Sequence, residues 1–233
     1  MPALFNLNPL AEVYVPEGID PLEALRRTTH LAVGAHPDDV EIMAQHGILA
    51  CYQQSNRHFM AVILTNGSGS PRSGSYTATT NDDLVLLRRE EQLRAAEIGA
   101  YSAVVLLNYD SAAIKGDTNQ PIDDLVKLFT LANPEILYTH QPFDRHPTHV
   151  AACVRVLTAS RRQPAAARPK KVYGCEVWRS LDWVDEPERI SLDVSGHEEL
   201  RRALLQVYSS QIAGGKRYDL AVIGRQQANA TFN

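Results

Sequence analysis

No stretch of this 233-residue chain approaches the roughly 20 consecutive apolar residues needed to span a bilayer, so no integral membrane segment is expected. The opening residues, Met1 to Asn6, lack the basic and apolar regions of a secretion signal, which points to a soluble, cytoplasmic protein. Cysteine is scarce. The three present, Cys51, Cys153 and Cys175, are widely spaced and without the paired spacing of a zinc ribbon or a redox motif, so reduced, partly buried thiols are expected. Charge of one sign is also missing: 23 Lys and Arg against 27 Asp and Glu leave a net charge of -4. That balance gives no basic footprint for nucleic acid or an anionic membrane, and it suits small neutral or cationic substrates equally. No G-x-G-x-x-G turn follows the first apolar strand, which argues against a dinucleotide-binding domain. The G-x-S-x-G elbow of serine hydrolases is absent too, and Gly67-Ser-Gly69 does not satisfy it. Without internal repeats or low-complexity blocks, an array architecture is disfavoured.

What is there is an alternation of strand and helix patterns with 44% hydrophobic residues, enough to bury one substantial core in a single α/β domain over residues 1–233. Residues 1 to 20 read as an extension, and Pro21 to Arg27 as a short helix. A buried strand through Leu31 to Val33 precedes helical spacing from Val40 to Tyr52, and Phe59 to Thr65 form the second strand. The segment from Asn66 to Asp83 is a polar connection long enough to be read as a lid or specificity loop. Beyond it the patterns predict a helix over Leu84 to Ile98, a strand over Ala103 to Leu107, a helix over Ile122 to Leu131 and a strand over Ile136 to Thr139. Lys171 to Trp178 fit a further strand, with Glu176 and Trp178 sharing a face, and a helix begins at His197.

Two strand ends carry the chemistry. The first strand delivers His36-Pro37-Asp38-Asp39, and the strand over Ile136 to Thr139 leads into His140 and then Asp144-Arg145-His146-Pro147-Thr148-His149. Open parallel sheets bind ligands at the carboxyl ends of their strands, so both groups converge where a substrate can reach. Zinc prefers nitrogen and carboxylate oxygen in tetrahedral geometry with one position open to water, and His36, Asp39 and His149 make a sufficient ligand set. Asp38 and His146 are then left for proton chemistry. Taken singly, each motif has a plainer reading. His36 to Asp39 could be a turn and helix cap, and His146 to His149 a proline-initiated helix bearing two surface histidines. His140 fits either the cleft or a core hydrogen bond. Asp144 fits support of a neighbouring histidine or a pair with Arg145. His30, His58 and His197 read as flank or cap residues, and the run Arg88, Arg89, Glu90, Glu91, Arg94 as a solvated helix face.

The two motifs together resemble the LmbE-like (PIG-L) metal-dependent N-deacetylases, which remove an acetyl group from N-acetylglucosamine-type sugars. Leu64-Thr65-Asn66-Gly67 resembles the family's strand-end turn, Glu90 with Ile98-Gly99 its following helix, and the resemblance covers roughly residues 29 to 160. It implies a Rossmann-like three-layer fold with a mostly parallel sheet and a metal site at the carboxyl ends of the strands. It also implies that His36, Asp39 and His149 bind the metal, that Asp38 is the general base and His146 the oxyanion stabiliser, and that Asp110 contacts sugar hydroxyls. On its own, Asp110 reads as an Asx-turn residue. The Ser210-Gln211 pair is similar to bacterial members acting on glucosaminyl malate.

Zinc is the expected metal, although the same ligands accept ferrous iron. The expected partner is a small N-acetylated sugar, and homo-oligomer formation is left open. Two departures from the family pattern stand out: Thr148 replaces an acid, and Gln45-His46 replaces a pair of glycines. The first lowers support for an imidazolium at His146. The second predicts altered packing or a narrowed cleft. Rival readings are a deacylase of another small N-acyl metabolite, such as an antibiotic precursor, and a metal-bound sugar-binding module without turnover.

Overall fold

A computed structural model describes residues 5–232. Six strands, β1 (Glu12–Tyr14), β2 (His30–Gly34), β3 (Phe59–Thr65), β4 (Ala103–Tyr109), β5 (Ile136–His140) and β6 (Lys171–Cys175), form one sheet in the order β1-β4-β3-β2-β5-β6. Only β1 runs antiparallel. Every residue of β2 and β3 is buried, because helices cover both faces and both sides of the pleat must be apolar. On one face Leu31, Val33, Met60 and Val62 pack against α1 (Pro21–Arg26), α6 (Gln120–Ala132) and α7 (Pro147–Arg162). On the other, Ala32, Ala61 and Ile63 meet α2 (Asp39–Met43), α3 (Gln45–Cys51), α4 (Asn81–Ile98) and α8 (Glu198–Gln206). The result is the expected three-layer α/β fold with a mostly parallel sheet. A short α5 (Ser111–Lys115) follows β4, and α9 (Tyr218–Phe232) closes the chain.

The strand order fixes where a site can form. From β2 the chain steps to β3 and β4 on one side, then returns to place β5 on the other side of β2. The loops after β2 and β5 therefore leave the sheet in opposite directions, opening a crevice between them at the strands' carboxyl ends.

Several expectations are corrected here. Of the stretch read as an extension, residues 1–4 lie outside the described residues, and the rest is integrated in the fold: β1 pairs with β4, and Phe5, Leu7, Ala11 and Val13 are buried. Their apolar side chains cover the end of the core, which a solvated extension would leave open. The helix expected over 40 to 52 is two helices broken at Ala44, whose φ of -112° and ψ of 24° leave the helical region. Beyond the break, Gly47 abuts Tyr138 so closely that a Cβ would lie 2.6 Å from that ring. Gln45 and His46 alter packing. The Gln45 Oε1 accepts from Gln226 Nε2 of α9 at 2.7 Å, and His46 Nδ1 lies 2.7 Å from the Tyr138 hydroxyl. His30, read as a flank residue, is buried within β2. The last strand stops at Cys175, so Glu176 and Trp178 lie beyond it. All three cysteines are free and buried, and burial pushes the Cys51 and Cys175 thiols up to about 12.

The 66–83 segment holds a turn of 3-10 helix at Gly74–Tyr76. It is tied to the chain before α9 by Ser73 Oγ donating to the Ala213 carbonyl at 3.2 Å and by a 3.1 Å contact between the Tyr76 and Ser209 hydroxyls.

Candidate active site and metal centre

At the end of β2 the chain turns tightly, and the His36 amide donates to Asp39 Oδ2 at 2.7 Å. This turn brings His36 and Asp39 up to His149 of α7. His36 Nδ1 lies 3.2 Å from Asp39 Oδ2 and 3.2 Å from His149 Nε2, and His149 Nε2 lies 3.3 Å from Asp39 Oδ1. Ligands held ~2.0–2.1 Å from a tetrahedral zinc ion stand ~3.3 Å from one another, and these spacings are of that order, with Asp39 presenting a different oxygen to each histidine. Converging lone pairs of this kind repel unless a cation or proton lies between them. Two overlapping groups here could hold a metal ion, His36 with His146 and His149, and Asp39 with His140 and His149, and the expected ligands His36, Asp39 and His149 are divided between them. Asp39 and His149 are buried, with His36 part-exposed on the open side. Burial alone would raise the Asp39 carboxyl, yet the imidazoles of His149, His140 and His36 hold it well below the usual carboxylate range.

His149 is oriented from behind. Asp144 Oδ1 stands 3.3 Å from His149 Nδ1 and accepts the His146 amide at 2.9 Å, while Asp144 Oδ2 accepts the Trp178 amide at 3.1 Å. Despite its burial, these contacts lower the Asp144 carboxyl to about 2. Of its two sequence readings, support of a histidine is the one the geometry matches. A carboxylate behind a ligating imidazole fixes its tautomer, leaving Nε2 for the metal.

His140 is wholly buried and stacks on His149, with ring centroids 4.0 Å apart. Its Nε2 lies 3.3 Å from Asp39 Oδ2 and also accepts the Ala35 amide at 2.9 Å. That lone pair faces the Ala35 amide, yet with Asp39 and His149 His140 also forms one of the groups that could hold a metal ion.

His146 is the N-cap residue of α7, and its Nδ1 accepts the Thr148 amide at 3.2 Å. The ring proton then belongs on Nε2. Burial, with His36 and His149 nearby, lowers this imidazole to about 4, so it is a neutral donor. The contact from Thr148 is made by its backbone amide, which any residue at that position would supply.

Asp38 adjoins the ligands in a strained conformation. Its φ of 98° is rare for a residue with a Cβ. Its carboxylate Oδ2 lies 3.1 Å from Arg88 Nη2, and Arg88 also donates to the Pro37 carbonyl. Burial pushes the Asp38 carboxyl up, with Arg88 pulling the other way. Gly67, at a φ of 73°, lets the β3 turn lie against this guanidinium; a Cβ there would sit 3.3 Å from Arg88 Nε.

Arg88 belongs to the run read as a solvated helix face, and the structure corrects that reading. Leu84, Arg88, Glu91, Gln92 and Ala95 are all buried along one side of α4. Glu91 accepts the Ser210 amide at 2.8 Å and the Ser210 hydroxyl at 2.7 Å, and lies 3.8 Å from Arg88. Glu41, which the sequence did not single out, accepts from Tyr101, Tyr208 and Gln92 at 2.8, 2.7 and 2.9 Å. The network joins α2, α4 and the segment after α8 behind Asp38. Asp110 is exposed, and its Oδ1 accepts the Ala113 amide at 2.6 Å to cap α5. It makes no contact with the histidine and aspartate cluster.

A mostly parallel sheet with histidine and aspartate groups that could hold a metal ion at its switch point, and a buried acid beside them, defines an α/β protein with a candidate metal centre. The chain belongs to the PIG-L family (GlcNAc-PI de-N-acetylase), whose model matches residues 31–160, and is thereby a hydrolytic N-deacetylase. It is 30% identical over 146 residues to the uncharacterized deacetylase YaiS of Escherichia coli (strain K12), covering 60% of this chain and 72% of that protein. Solved structures of the same fold include N,N'-diacetylchitobiose deacetylase from Pyrococcus horikoshii, at a TM-score of 0.66 and 16% identity, over 84% of this chain and 75% of that one. GalB, the 4-carboxy-2-hydroxymuconate hydratase of Pseudomonas putida KT2440, aligns at a TM-score of 0.68 and 20% identity, over 88% and 90%. Identities this low speak to the fold alone. No helix among the described residues is long and apolar enough to cross a membrane.

Proposed function

We propose that this chain removes the acetyl group of a small N-acetylglucosamine-type conjugate in the cytoplasm, with zinc held by His36, Asp39 and His149. The observation that carries the reading is the convergence of His36 Nδ1, His149 Nε2 and the two Asp39 carboxylate oxygens at 3.2–3.3 Å, beside the buried acid Asp38. A zinc ion bound there supplies Lewis acidity and an acidified water.

The chain's own residues do the rest. Asp38 takes a proton from the attacking water, and its raised affinity for that proton suits it to hold one during attack. As the tetrahedral intermediate collapses, the same carboxyl returns the proton to the departing amine nitrogen. Arg88 keeps Asp38 in place through the collapse. His146, neutral with its proton on Nε2, donates to the oxygen that gains charge during attack. Asp110 stands at the carboxyl end of β4 with one carboxylate oxygen committed to its cap, and we assign the other to a sugar hydroxyl. The 66–83 segment bounds the site as a specificity loop, and residues 1–233 act as one deacetylase domain.

The test is amine release from a panel of N-acetylglucosamine conjugates by zinc-loaded protein, with Asp38→Asn beside it at matched metal occupancy. Release by the wild type and its loss in the variant is the expected result. Ligand binding without turnover would favour the sugar-binding module, and release only from other N-acyl compounds would favour the alternative substrate class.

A further inference from the structure

A lysine lies half-buried at this site without an acid to pair with. Lys216 Nζ donates to the Gln211 side-chain oxygen at 2.9 Å and sits over two aromatic rings, 5.3 Å from the Tyr218 centroid and 5.8 Å from that of Trp178. Among the described residues no carboxylate lies within 4.0 Å of it. By contrast, Lys127 and Lys170 each reach an acid, Asp124 at 3.1 Å and Glu135 at 3.0 Å. Withdrawing a cation from water is unfavourable unless it is paired, so a lysine held this way by a neutral amide is one whose partner arrives from outside.

Both of its supports lead to the reaction centre. Gln211 is buried and bonds Ser210 Oγ at 3.2 Å, Ser210 Oγ bonds Glu91 at 2.7 Å, and Glu91 neighbours the Arg88 that holds Asp38. On the other side, the Trp178 beneath the ammonium is the residue whose amide is bound by Asp144, behind His149. Lys216 is thus anchored between the support of the base and the support of a metal ligand. Burial lowers its pKa, and Arg88 adds to that, while the charges of Asp38 and Asp39 pull the other way, as expected if the ammonium faces the crevice.

We propose that Lys216, preset by Gln211, Trp178 and Tyr218, is a specificity residue that binds an anionic oxygen-acid group, carboxylate or phosphate, carried by the substrate beyond its N-acetyl sugar. The assignment rests on the deacetylase reading only for the identity of that sugar. It narrows the substrate class from the neutral or cationic compounds that the net charge allows to acidic conjugates.

The test is calorimetric titration of the zinc-loaded protein with neutral N-acetylglucosamine, with N-acetylmuramic acid and with N-acetylglucosamine 6-phosphate. It is run in the Asp38→Asn background so that no amide is cleaved, and repeated with Lys216→Met and Lys216→Arg added. At least one of the two acids should bind about tenfold more tightly than the neutral sugar, a difference of ~1.4 kcal/mol. That advantage should shrink with added salt, vanish in Lys216→Met and return in part in Lys216→Arg. Whichever acid shows it identifies the group as carboxylate or phosphate. Equal binding of neutral and acidic ligands overturns the proposal, as does no binding of either acid, or an advantage that survives in a folded Lys216→Met protein, which would place the anion on the metal. Amine release by the protein with Asp38 intact is scored separately. If none occurs while the anion preference depends on Lys216, the deacetylase reading fails and the anion site stands.

Discussion

Arg88 Nη2 lies 3.1 Å from Asp38 Oδ2, with both side chains buried. The pair brings together two elements distant in sequence, the turn after β2 and the middle of α4, and the base depends on it. Removing one member of a buried pair leaves the other charge unsolvated, which costs about 3–5 kcal/mol. Arg88→Met should therefore destabilise the fold by that order in urea denaturation and abolish turnover. Bound zinc should remain at one per chain, because Arg88 touches none of the three ligands. Arg88→Lys restores the charge without the planar fork and should recover part of the stability. Loss of zinc together with activity in Arg88→Met would refute this division of labour.

The proposed zinc ligands make their own prediction. Zinc that binds only the folded chain should raise its stability, by about 2.7 kcal/mol when free metal stands at 100 times its dissociation constant. Asp39→Asn removes the charge that faces both histidines and should abolish the zinc-dependent rise in melting temperature, together with the metal measured by mass spectrometry. An undiminished rise in this variant would mean that the metal sits elsewhere, for instance among His36, His146 and His149, whose ring nitrogens also lie within 4.8 Å of one another.

His146 should separate from the ligands in the opposite way. His146→Gln should keep its zinc and lose about 10²–10³ in kcat, the range for removing a single oxyanion donor. Thr148→Asp would place an anion beside a ring now lowered to about 4 and should raise that value toward the ordinary range. Histidine titration by NMR on the zinc-loaded protein would register the change, and an unmoved His146 would show that the side chain at 148 does not reach the ring's field.

The sequence made the cluster of His36, Asp39 and His149 legible and the network behind Asp38 illegible, for one physical reason. Both strands that deliver His36, Asp39 and His149 are apolar runs ending in clustered ionisable groups, and the parallel order of β2 and β5 brings those ends together. In α4, Leu84, Arg88, Glu91, Gln92 and Ala95 follow the i, i+4, i+7, i+8, i+11 spacing of a buried stripe. Three of those positions are polar, however, so a search for apolar periodicity passed over it. The spacing was present, and the clue was that charges at Arg88 and Glu91 had counterparts in Asp38 and in Ser210, far apart in sequence. β1 escaped notice because it is only three residues long. The final helix, α9, was also missed, since most of its large apolar residues fall in one consecutive run, Leu220 to Ile223, rather than at helical spacing, and it brings Gln226 to Gln45 and Tyr218 to Trp178. Likewise Gly47, rather than the residues replacing the family's glycines, proved to be the position of closest approach in α3.

His30 yields a prediction about pH that is independent of the metal centre. It starts β2, lies buried facing Tyr138, and its Nδ1 is 2.9 Å from the Thr29 hydroxyl. Burial, with the positive charges of His46 and Arg57, lowers it from 6.5 to about 4, against a weaker opposing pull from Glu135. The folded protein therefore takes up this proton later than the unfolded chain as pH falls. Its neutral state supports the fold fully above pH 6.5, that support is lost progressively between pH 6.5 and about 4, and below that no further change comes from this group. The slope from one such proton is at most about 1.4 kcal/mol per pH unit. His30→Gln keeps a hydrogen-bonding side chain but cannot titrate, so its unfolding free energy should fall less steeply over this window than that of the wild type. His140 and His146 are lowered to about 4 as well, and both remain in the variant, so the difference between the two curves isolates His30. Parallel curves from pH 7 to 4 would show that the imidazole is either protonated in the fold or reached by solvent.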